Sequence, residues 1–205
     1  MIHWKIVNSI GYIQIDSPNK NALGLEDLCR IQAILEKEII LCKGVIITGT
    51  GYSFCSGLDL SGNIDELINL LDDVLSLLYS LSIPYVCALN GHAIGAGFLM
   101  MCCADYIVSV ENDKAKFGLP EVSLGIVITK LMYIVLLNKL HKSSIRKLLL
   151  SFKLVNLDAL CKLGMIDEMC CGNESLLERA NNYIFKIDAN NFDTYKECKQ
   201  LFLNY

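Results

Sequence analysis

Two short, wholly apolar runs constrain the fold of this chain most strongly. Residues 45–48 (VIIT) and 85–89 (YVCAL) each lead into a glycine-bearing loop, and helical spacing of apolar residues follows, as in residues 63–81. Runs of this kind indicate strands that helices cover on both faces. Strands that alternate with helices predict an α/β fold whose ligand site lies at the carboxyl ends of strands.

The rest of the chain fits the same class. Residues 3–7 and 12–15 alternate apolar and polar side chains, which predicts a hairpin, and residues 25–41 have the period of an amphipathic helix. Residues 106–110 form another apolar run, and helix-like segments dominate from Lys130 onward. We therefore expect a single domain over residues 1–205, with residues 130–205 mainly helical.

Composition and charge narrow the function classes. Hydrophobic residues make up 53% of the chain and the mean hydropathy is +0.42, so we expect self-association to cover apolar surface. Uninterrupted apolar runs fall short of the roughly 20 residues that span a membrane, and the first residues do not resemble a secretory signal, so we expect a cytoplasmic protein. A net charge of −4 without a long basic stretch does not fit nucleic-acid binding.

The ten cysteines fit a reducing compartment. Several lie among Leu, Ile and Ala, which predicts buried free thiols. These are Cys29, Cys42, Cys87, Cys102, Cys103 and Cys161. No two cysteines have the two-residue gap of a zinc or redox motif, so we expect no metal site.

The first loop with candidate chemistry is GTGYSFCSGLDL, residues 49–60. A dinucleotide fingerprint fails because its third glycine would fall at Phe54, and Phe54 also stands where the elbow of a serine hydrolase at Ser56 needs a glycine. A tight turn at Gly57 that leaves the N–H of Leu58 free remains possible. A plain surface loop is an equally open reading.

Two further loops contain residue types suited to charge stabilisation and proton transfer. Gly95 and Gly97 lie at the start of an apolar helix, whose free N–H groups stabilise negative charge, although close packing also explains the glycines. Glu121 follows Pro120 in an apolar segment, where desolvation should raise its pKa towards the range of a proton shuttle. A solvated loop charge or a helix cap is the alternative for Glu121. His92 and His141 are interpreted as structural or surface residues.

Taken together and in this order, the loops resemble the enoyl-CoA hydratase/isomerase (crotonase) superfamily. The similarity begins with SPNKNALGLEDL and includes VIITGTGYSFCSGLDL, ALNGHAIGAGF, CCADYIVSVENDKAKFGLPEVSLGI and LLLSFKLVNLDALCKLGMIDEM. It implies a crotonase-like spiral of ββα units with a shortened helical C-terminus, assembled as trimers or hexamers. It also implies an acyl-CoA or acyl-phosphopantetheine substrate, with no cofactor beyond the CoA moiety.

The resemblance assigns roles to individual residues. It implies an oxyanion hole formed by the N–H groups of Leu58 and Ala96. It implies CoA contacts from Lys20, Ala22, Leu58, Asp59 and Leu60. The hydratases of the family use two glutamates, and here the corresponding positions are Leu99 and Glu121.

One glutamate is sufficient for the isomerases of this family, and the sequences GLDL and FGLPEVSLGI resemble that branch. The resemblance therefore favours conversion of a 3-enoyl-CoA to a 2-enoyl-CoA through Glu121. Two alternatives stay open: another crotonase reaction, such as hydration or decarboxylation, and a non-catalytic acyl-CoA-binding subunit. The chain also departs from the family at Ile128, where a proline is common, and it is expected to be truncated after Tyr205.

Overall fold

The strands of this protein form two sheets. The structure, a computed structural model, describes residues 1–151, 153–187 and 191–203. In the larger sheet β1 pairs antiparallel with β2, and the remaining strands continue in parallel in the order β2-β3-β5-β7-β9. These strands are β1 (Ile2–Val7), β2 (Ile10–Ile15), β3 (Gly44–Gly49), β5 (Tyr85–Leu89), β7 (Tyr106–Val110) and β9 (Glu168–Cys170). The predicted hairpin and the three predicted apolar strands are confirmed.

The smaller sheet consists of short parallel strands in the order β4-β6-β8. They are β4 (Ser53–Cys55), β6 (His92–Ile94) and β8 (Phe117–Gly118). The prediction of loops at residues 49–60, around Gly95 and around Glu121 misses these strands. Each strand has only two or three residues, and its hydrogen-bonding partners lie far away in the sequence, so no local periodicity marks it.

Helices follow the strands and complete three ββα units. β3 and β4 lead into α3, β5 and β6 lead into α4, and β7 and β8 lead through a 3₁₀ helix, Glu121–Leu124, into α5. The helices are α1 (Pro18–Asn21), α2 (Leu25–Ala33), α3 (Ile64–Tyr79), α4 (Ala96–Cys102), α5 (Lys130–Lys139), α6 (Lys142–Leu150), α7 (Leu157–Lys162), α8 (Asn173–Ile187) and α9 (Phe192–Leu203). This arrangement confirms the mixed α/β fold and its expected spiral.

The predicted helix over residues 25–41 changes its winding along its length. After α2 the chain continues as a π-helix, Ile34–Glu38, and as a 3₁₀ helix, Ile39–Leu41. The predicted helix at residues 63–81 is α3, which begins after Asn63 because the side chain of Asn63 accepts a hydrogen bond from the N–H of Glu66 at 3.4 Å. Both predictions of helix are therefore confirmed, with revised ends.

The larger sheet is buried on both faces, as its apolar runs predict. Ile46 and Val86 pack with Ile184 of α8 on one face. Their neighbours Ile47 and Cys87 point to the opposite face and join the main core, because successive residues of a strand alternate sides. Burial on two faces explains why these strands carry no polar alternation.

The structure corrects one further expectation and adds a strand to another. Cys29 is exposed and Cys161 is only partly buried, whereas Cys42, Cys87, Cys102 and Cys103 are buried as predicted. The segment from Lys130 onward is mainly helical, but it also contributes strand β9. Among the described residues, no helix has the length and apolar character needed to cross a membrane.

Candidate active site

The three loops meet in a cavity of about 110 Å³ at the carboxyl end of the smaller sheet. Leu58 follows β4, Gly95 and Ala96 follow β6, and Pro120 and Glu121 follow β8. Parallel strands end at one edge of a sheet, which brings residues that are distant in sequence together. The cavity is also lined by Ser56, Gly57, Leu60, Ile68, Leu71, Leu99, Leu124, Ile126 and Met132.

Glu121 is the one carboxylate among the described residues that line this cavity. Its residue surface is only 7% exposed, and its Oε2 atom has no hydrogen-bond partner among the described residues. Burial raises the pKa of Glu121 from its ordinary value of 4.5 to about 7, against a smaller opposing effect of its own backbone N–H. The predicted rise is confirmed, and a carboxyl with this pKa can accept and return a proton near neutral pH.

Glycines allow the loops to approach Glu121 closely. Gly95 has φ +55° and Gly57 has φ +110°, both in the region that side chains rarely adopt. A β-carbon on Gly95 would lie 3.1 Å from Oε1 of Glu121 and 3.5 Å from the Cα of Gly57. The carboxylate therefore lies directly against the β6–α4 connection.

The backbone geometry directs the N–H of Leu58 away from its neighbouring segment. Leu23 forms a parallel bridge with Leu58, in which Leu23 donates to the carbonyl of Gly57 at 2.8 Å and accepts from the N–H of Asp59 at 2.9 Å. Since N–H groups of successive extended residues alternate sides, the N–H of Leu58 points to the side opposite Leu23. No backbone acceptor for it is found within the described residues.

The N–H of Ala96 is free for a different reason. Ala96 is the first residue of α4, where an N–H has no acceptor within the helix. It is 2% exposed and lines the cavity with Leu58 and Glu121. Leu58, Ala96 and the Glu121 carboxylate thus line one small, mostly apolar space, an arrangement that suits charge stabilisation next to a proton acceptor.

Leu99 lies one turn after Ala96 on α4 and also lines the cavity. It is 1% exposed and presents only methyl groups. The cavity therefore has an alkyl side chain at the position that the resemblance to the crotonase superfamily assigns to the other glutamate of hydratases.

The residues predicted to contact CoA lie at two levels of exposure beside this cavity. Leu58 and Leu60 line it, whereas Asp59 lies in an adjacent surface depression. The parallel bridge pairs Leu23 with Leu58, so Ala22 lies beside Gly57 of the first loop, while Lys20 is exposed on the surface. The structure brings the two predicted segments together and leaves Lys20 and Ala22 outside the cavity lining.

The short segment α1, which carries Lys20, is a left-handed turn and not a right-handed α-helix. Asn19, Lys20 and Asn21 all have positive φ, between +55° and +64°, which costs about 1–2 kcal/mol per residue without glycine. The side chain of Asn21 donates to the carbonyl of Ser53 at 2.6 Å and to that of Thr50 at 3.1 Å, and Ser56 donates to the carbonyl of Asn19 at 2.8 Å. These bonds tie the turn to β4 and to the first loop.

Sequence reasoning missed Asn21 and Ser56 as positioning residues, and it missed Met132 as part of the cavity. The NKN triplet at residues 19–21 is the only local signal for Asn21. Met132 is placed by Thr129, which accepts from the N–H of Met132 at 3.1 Å and donates to Asp72 of α3 at 2.9 Å. That link joins two helices and has no signature in the sequence.

His92 and His141 both have structural partners. The Nδ1 atom of His92 accepts from the N–H of Lys116 at 2.9 Å, next to strand β8, and His141 caps the N-terminus of α6. Neither lines the cavity. Within residues 1–151, 153–187 and 191–203 no group of three or more His, Cys, Asp or Glu side chains is arranged to hold a metal ion.

A profile of the enoyl-CoA hydratase/isomerase family matches residues 5–204. The chain belongs to this family. The carnitinyl-CoA dehydratase of Proteus mirabilis, a similar protein, is 26% identical over 182 residues, which are 84% of this chain and 69% of the relative. The 2,3-dehydroadipyl-CoA hydratase of Escherichia coli is 34% identical over 113 residues, which are 52% of this chain and 42% of the relative.

Other curated relatives match over less than half of their own length. In four of them the aligned part is between 17% and 46% of the relative's length, so the chain spans about half of these curated relatives or less. The apo structure of an Mtb enoyl-CoA isomerase superposes with a TM-score of 0.85 and 24% identity, covering 98% of this chain and 90% of that chain. At this identity the likeness shows the fold.

Proposed function

We propose that this protein is an enoyl-CoA isomerase that moves the double bond of a 3-enoyl-CoA to the 2-position. The observation that carries the proposal is the isolation of Glu121 as the one carboxylate lining the described cavity, with Leu99 beside it. A single acid–base group serves both proton transfers of an isomerisation. Hydration needs a second group to activate water, and the alkyl chain of Leu99 cannot do so.

The proposed reaction has two proton transfers. The thioester oxygen accepts hydrogen bonds from the N–H groups of Leu58 and Ala96, and the Glu121 carboxylate removes a proton from C2. The electrons of that C–H bond form the C1–C2 double bond of a dienolate while the C3–C4 double bond stays in place, and the carbonyl π electrons move to the thioester oxygen, which then bears the negative charge. On return of the proton, the C1–C2 electrons shift to C2–C3 and the C3–C4 electrons take the proton. The carbonyl then reforms, C4 takes the proton from Glu121, and the double bond lies between C2 and C3.

Three physical features favour this mechanism. The free N–H groups act at the oxygen where negative charge develops, which is where such donors contribute most. The pKa of about 7 lets Glu121 exist as a base before the first transfer and as an acid before the second. The apolar lining limits access of water to the dienolate.

The test is the conversion of 3-hexenoyl-CoA by wild-type protein and by Glu121→Gln. Gln keeps the shape of the side chain but cannot move a proton, so we expect activity to fall by about 10²–10⁴-fold while binding of a CoA ester persists. Glu174→Gln is the matched control, since Glu174 is exposed in the first turn of α8. Equal activity of wild type and Glu121→Gln would overturn the mechanism.

Hydration of a 2-enoyl-CoA is the second candidate, because similar proteins are named hydratase or dehydratase. It predicts loss of the conjugated enoyl absorbance of crotonyl-CoA, and Glu121 would deliver the proton at the α-carbon. Slow or absent loss of this absorbance, together with turnover of 3-hexenoyl-CoA, supports the isomerase. Tight binding with neither activity would instead support an acyl-CoA-binding subunit.

Assembly and location belong to the same proposal. We propose a homotrimer or hexamer in the cytoplasm, formed by one domain over residues 1–205, in line with the apolar composition. Sedimentation equilibrium of the purified protein measures the assembly directly, and a monomer at micromolar concentration would exclude it.

A further inference from the structure

The cavity beside Glu121 has a closed apolar floor. Leu71 of α3, Leu99 of α4 and Met132 of α5 line it, and each is at most 2% exposed. The three helices pack against one another, and the hydrogen bond from Thr129 to Asp72 holds α5 against α3. The floor is therefore part of the close-packed core and does not recede to admit extra atoms without disturbing that packing.

The opposite end of the cavity faces solvent. Leu60 is 39% exposed and Leu124 is 53% exposed, and both line the same cavity. An acyl chain that outgrows the interior must leave methylene groups near these exposed side chains. Those methylenes gain little from burial, because the contribution depends on the apolar area removed from water.

The volume of the cavity limits the number of carbon atoms inside it. Its 110 Å³ is smaller than the apolar cavity of about 150 Å³ that accommodates the six carbons of benzene. In the proposed function, the thioester carbon lies beside the N–H groups of Leu58 and Ala96, and C2 to C4 lie beside Glu121. A cavity of this size leaves space for only a few further carbon atoms.

We infer that this cavity selects short acyl chains of about four to six carbons, with Met132 as the residue that sets the upper limit. The inference rests on the proposed function, which supplies the position of the thioester. The packed floor and the small volume supply the limit on length. Neither the packed floor nor the small volume depends on which reaction Glu121 carries out.

Equilibrium binding of saturated acyl-CoAs tests the inference without any turnover. The series is free CoA, butyryl-CoA, hexanoyl-CoA, octanoyl-CoA and decanoyl-CoA, measured by calorimetry with the full chain. We expect affinity to rise about fourfold for each methylene up to hexanoyl-CoA and to level off or fall beyond it. Affinity that continues to rise through decanoyl-CoA would overturn the size limit.

Met132→Ala tests the residue that closes the floor. The smaller side chain opens space for about two or three carbons, so octanoyl-CoA should bind about tenfold tighter than to wild type, while butyryl-CoA changes little. Met165→Ala is the matched control, because Met165 is also buried, at 1% exposure, but does not line the cavity. If both variants give the same chain-length profile, Met132 does not set the limit.

Two measurements keep the result interpretable. Thermal unfolding reports whether Met132→Ala is folded, and Met132→Val, a smaller truncation, replaces it if it is not. Failure of every acyl-CoA to bind more tightly than free CoA would overturn the proposed function together with this inference. Binding that is strong but independent of chain length would overturn this inference alone.

Discussion

The Oε1 atom of Glu121 lies 3.1 Å from the position that a β-carbon on Gly95 would occupy. This close approach links the loop that follows β6 to the buried carboxylate after β8. A side chain at Gly95 would have to displace that carboxylate or shift the loop. The site therefore requires a glycine at position 95 as well as the carboxylate of Glu121.

Gly95→Ala should impair both stability and activity. Alanine at φ +55° is strained, and its methyl group also meets Glu121, so we expect a loss of about 1–3 kcal/mol in the free energy of unfolding and a large fall in kcat/KM. Gly164→Ala is the control, because Gly164 has φ +70° but an added β-carbon would meet nothing within 4 Å. Urea unfolding and 3-hexenoyl-CoA kinetics measure the two effects. If Gly164→Ala lost as much activity as Gly95→Ala, the contact with Glu121 would not be the cause.

The rate of isomerisation should increase with pH. Glu121 must be ionised to remove the first proton, and burial raises its pKa to about 7. We therefore expect kcat/KM to rise about tenfold per unit below pH 7 and to level off above it. Initial rates between about pH 5.5 and pH 9 check this. A rate that falls over this range would indicate that the protonated acid is the active form, as expected for delivery of a proton during hydration.

Replacement of Glu121 should stabilise the protein at high pH. Its pKa is raised on folding, so the folded state binds more protons than the unfolded state between pH 4.5 and about 7, and wild-type stability falls as pH rises through this range. The shift corresponds to about 3 kcal/mol. Glu121→Gln has no titrating carboxyl at this position, so its free energy of unfolding does not show this fall with pH.

The free energy of unfolding, measured in urea at several pH values, tests that expectation. Glu121→Gln should exceed wild type by about 3 kcal/mol at pH 8, and the difference should vanish near pH 4. Glu174→Gln, at an exposed position, should match wild type at both. A constant difference between Glu121→Gln and wild type at all pH values would exclude the titration of Glu121 as its source.

A buried ion pair attaches the last described helix to the sheet. The Nζ atom of Lys199 in α9 lies 2.6 Å from Oδ2 of Asp105, and Lys199 also donates to the carbonyl of Ile83 at 2.9 Å. Lys199→Met leaves Asp105 without its counterion and should cost about 3 kcal/mol or more. The double variant Asp105→Asn with Lys199→Met should lose less than the sum of the single changes.

Thermal or urea unfolding of the four proteins of this cycle measures the coupling. Lys142→Met, at an exposed position in α6, is the control for removal of a lysine and should change stability little. Additive losses in the double variant would mean that the two side chains act independently.

The sequence predicts the burial of Glu121 for a reason that is only partly correct. Its apolar neighbours were expected to desolvate it, yet Val122 is 38% exposed and Leu124 is 53% exposed, and only Leu119 is buried. The carboxylate is instead covered by segments far away in sequence, among them the one that contains Gly95. The direction of the pKa shift was predictable, but its source was not.

The sequence by itself determined the strands β3, β5 and β7, the helices that follow them, and membership of the family. Runs such as residues 85–89 are apolar throughout because both faces of the sheet are covered. That requirement can be read directly from the order of residues in the sequence. Only the tertiary structure decided β4, β6 and β8, the 110 Å³ cavity and its floor at Met132. A strand of two or three residues exists only when distant neighbours supply its hydrogen bonds, and the volume of a cavity depends on how whole helices pack.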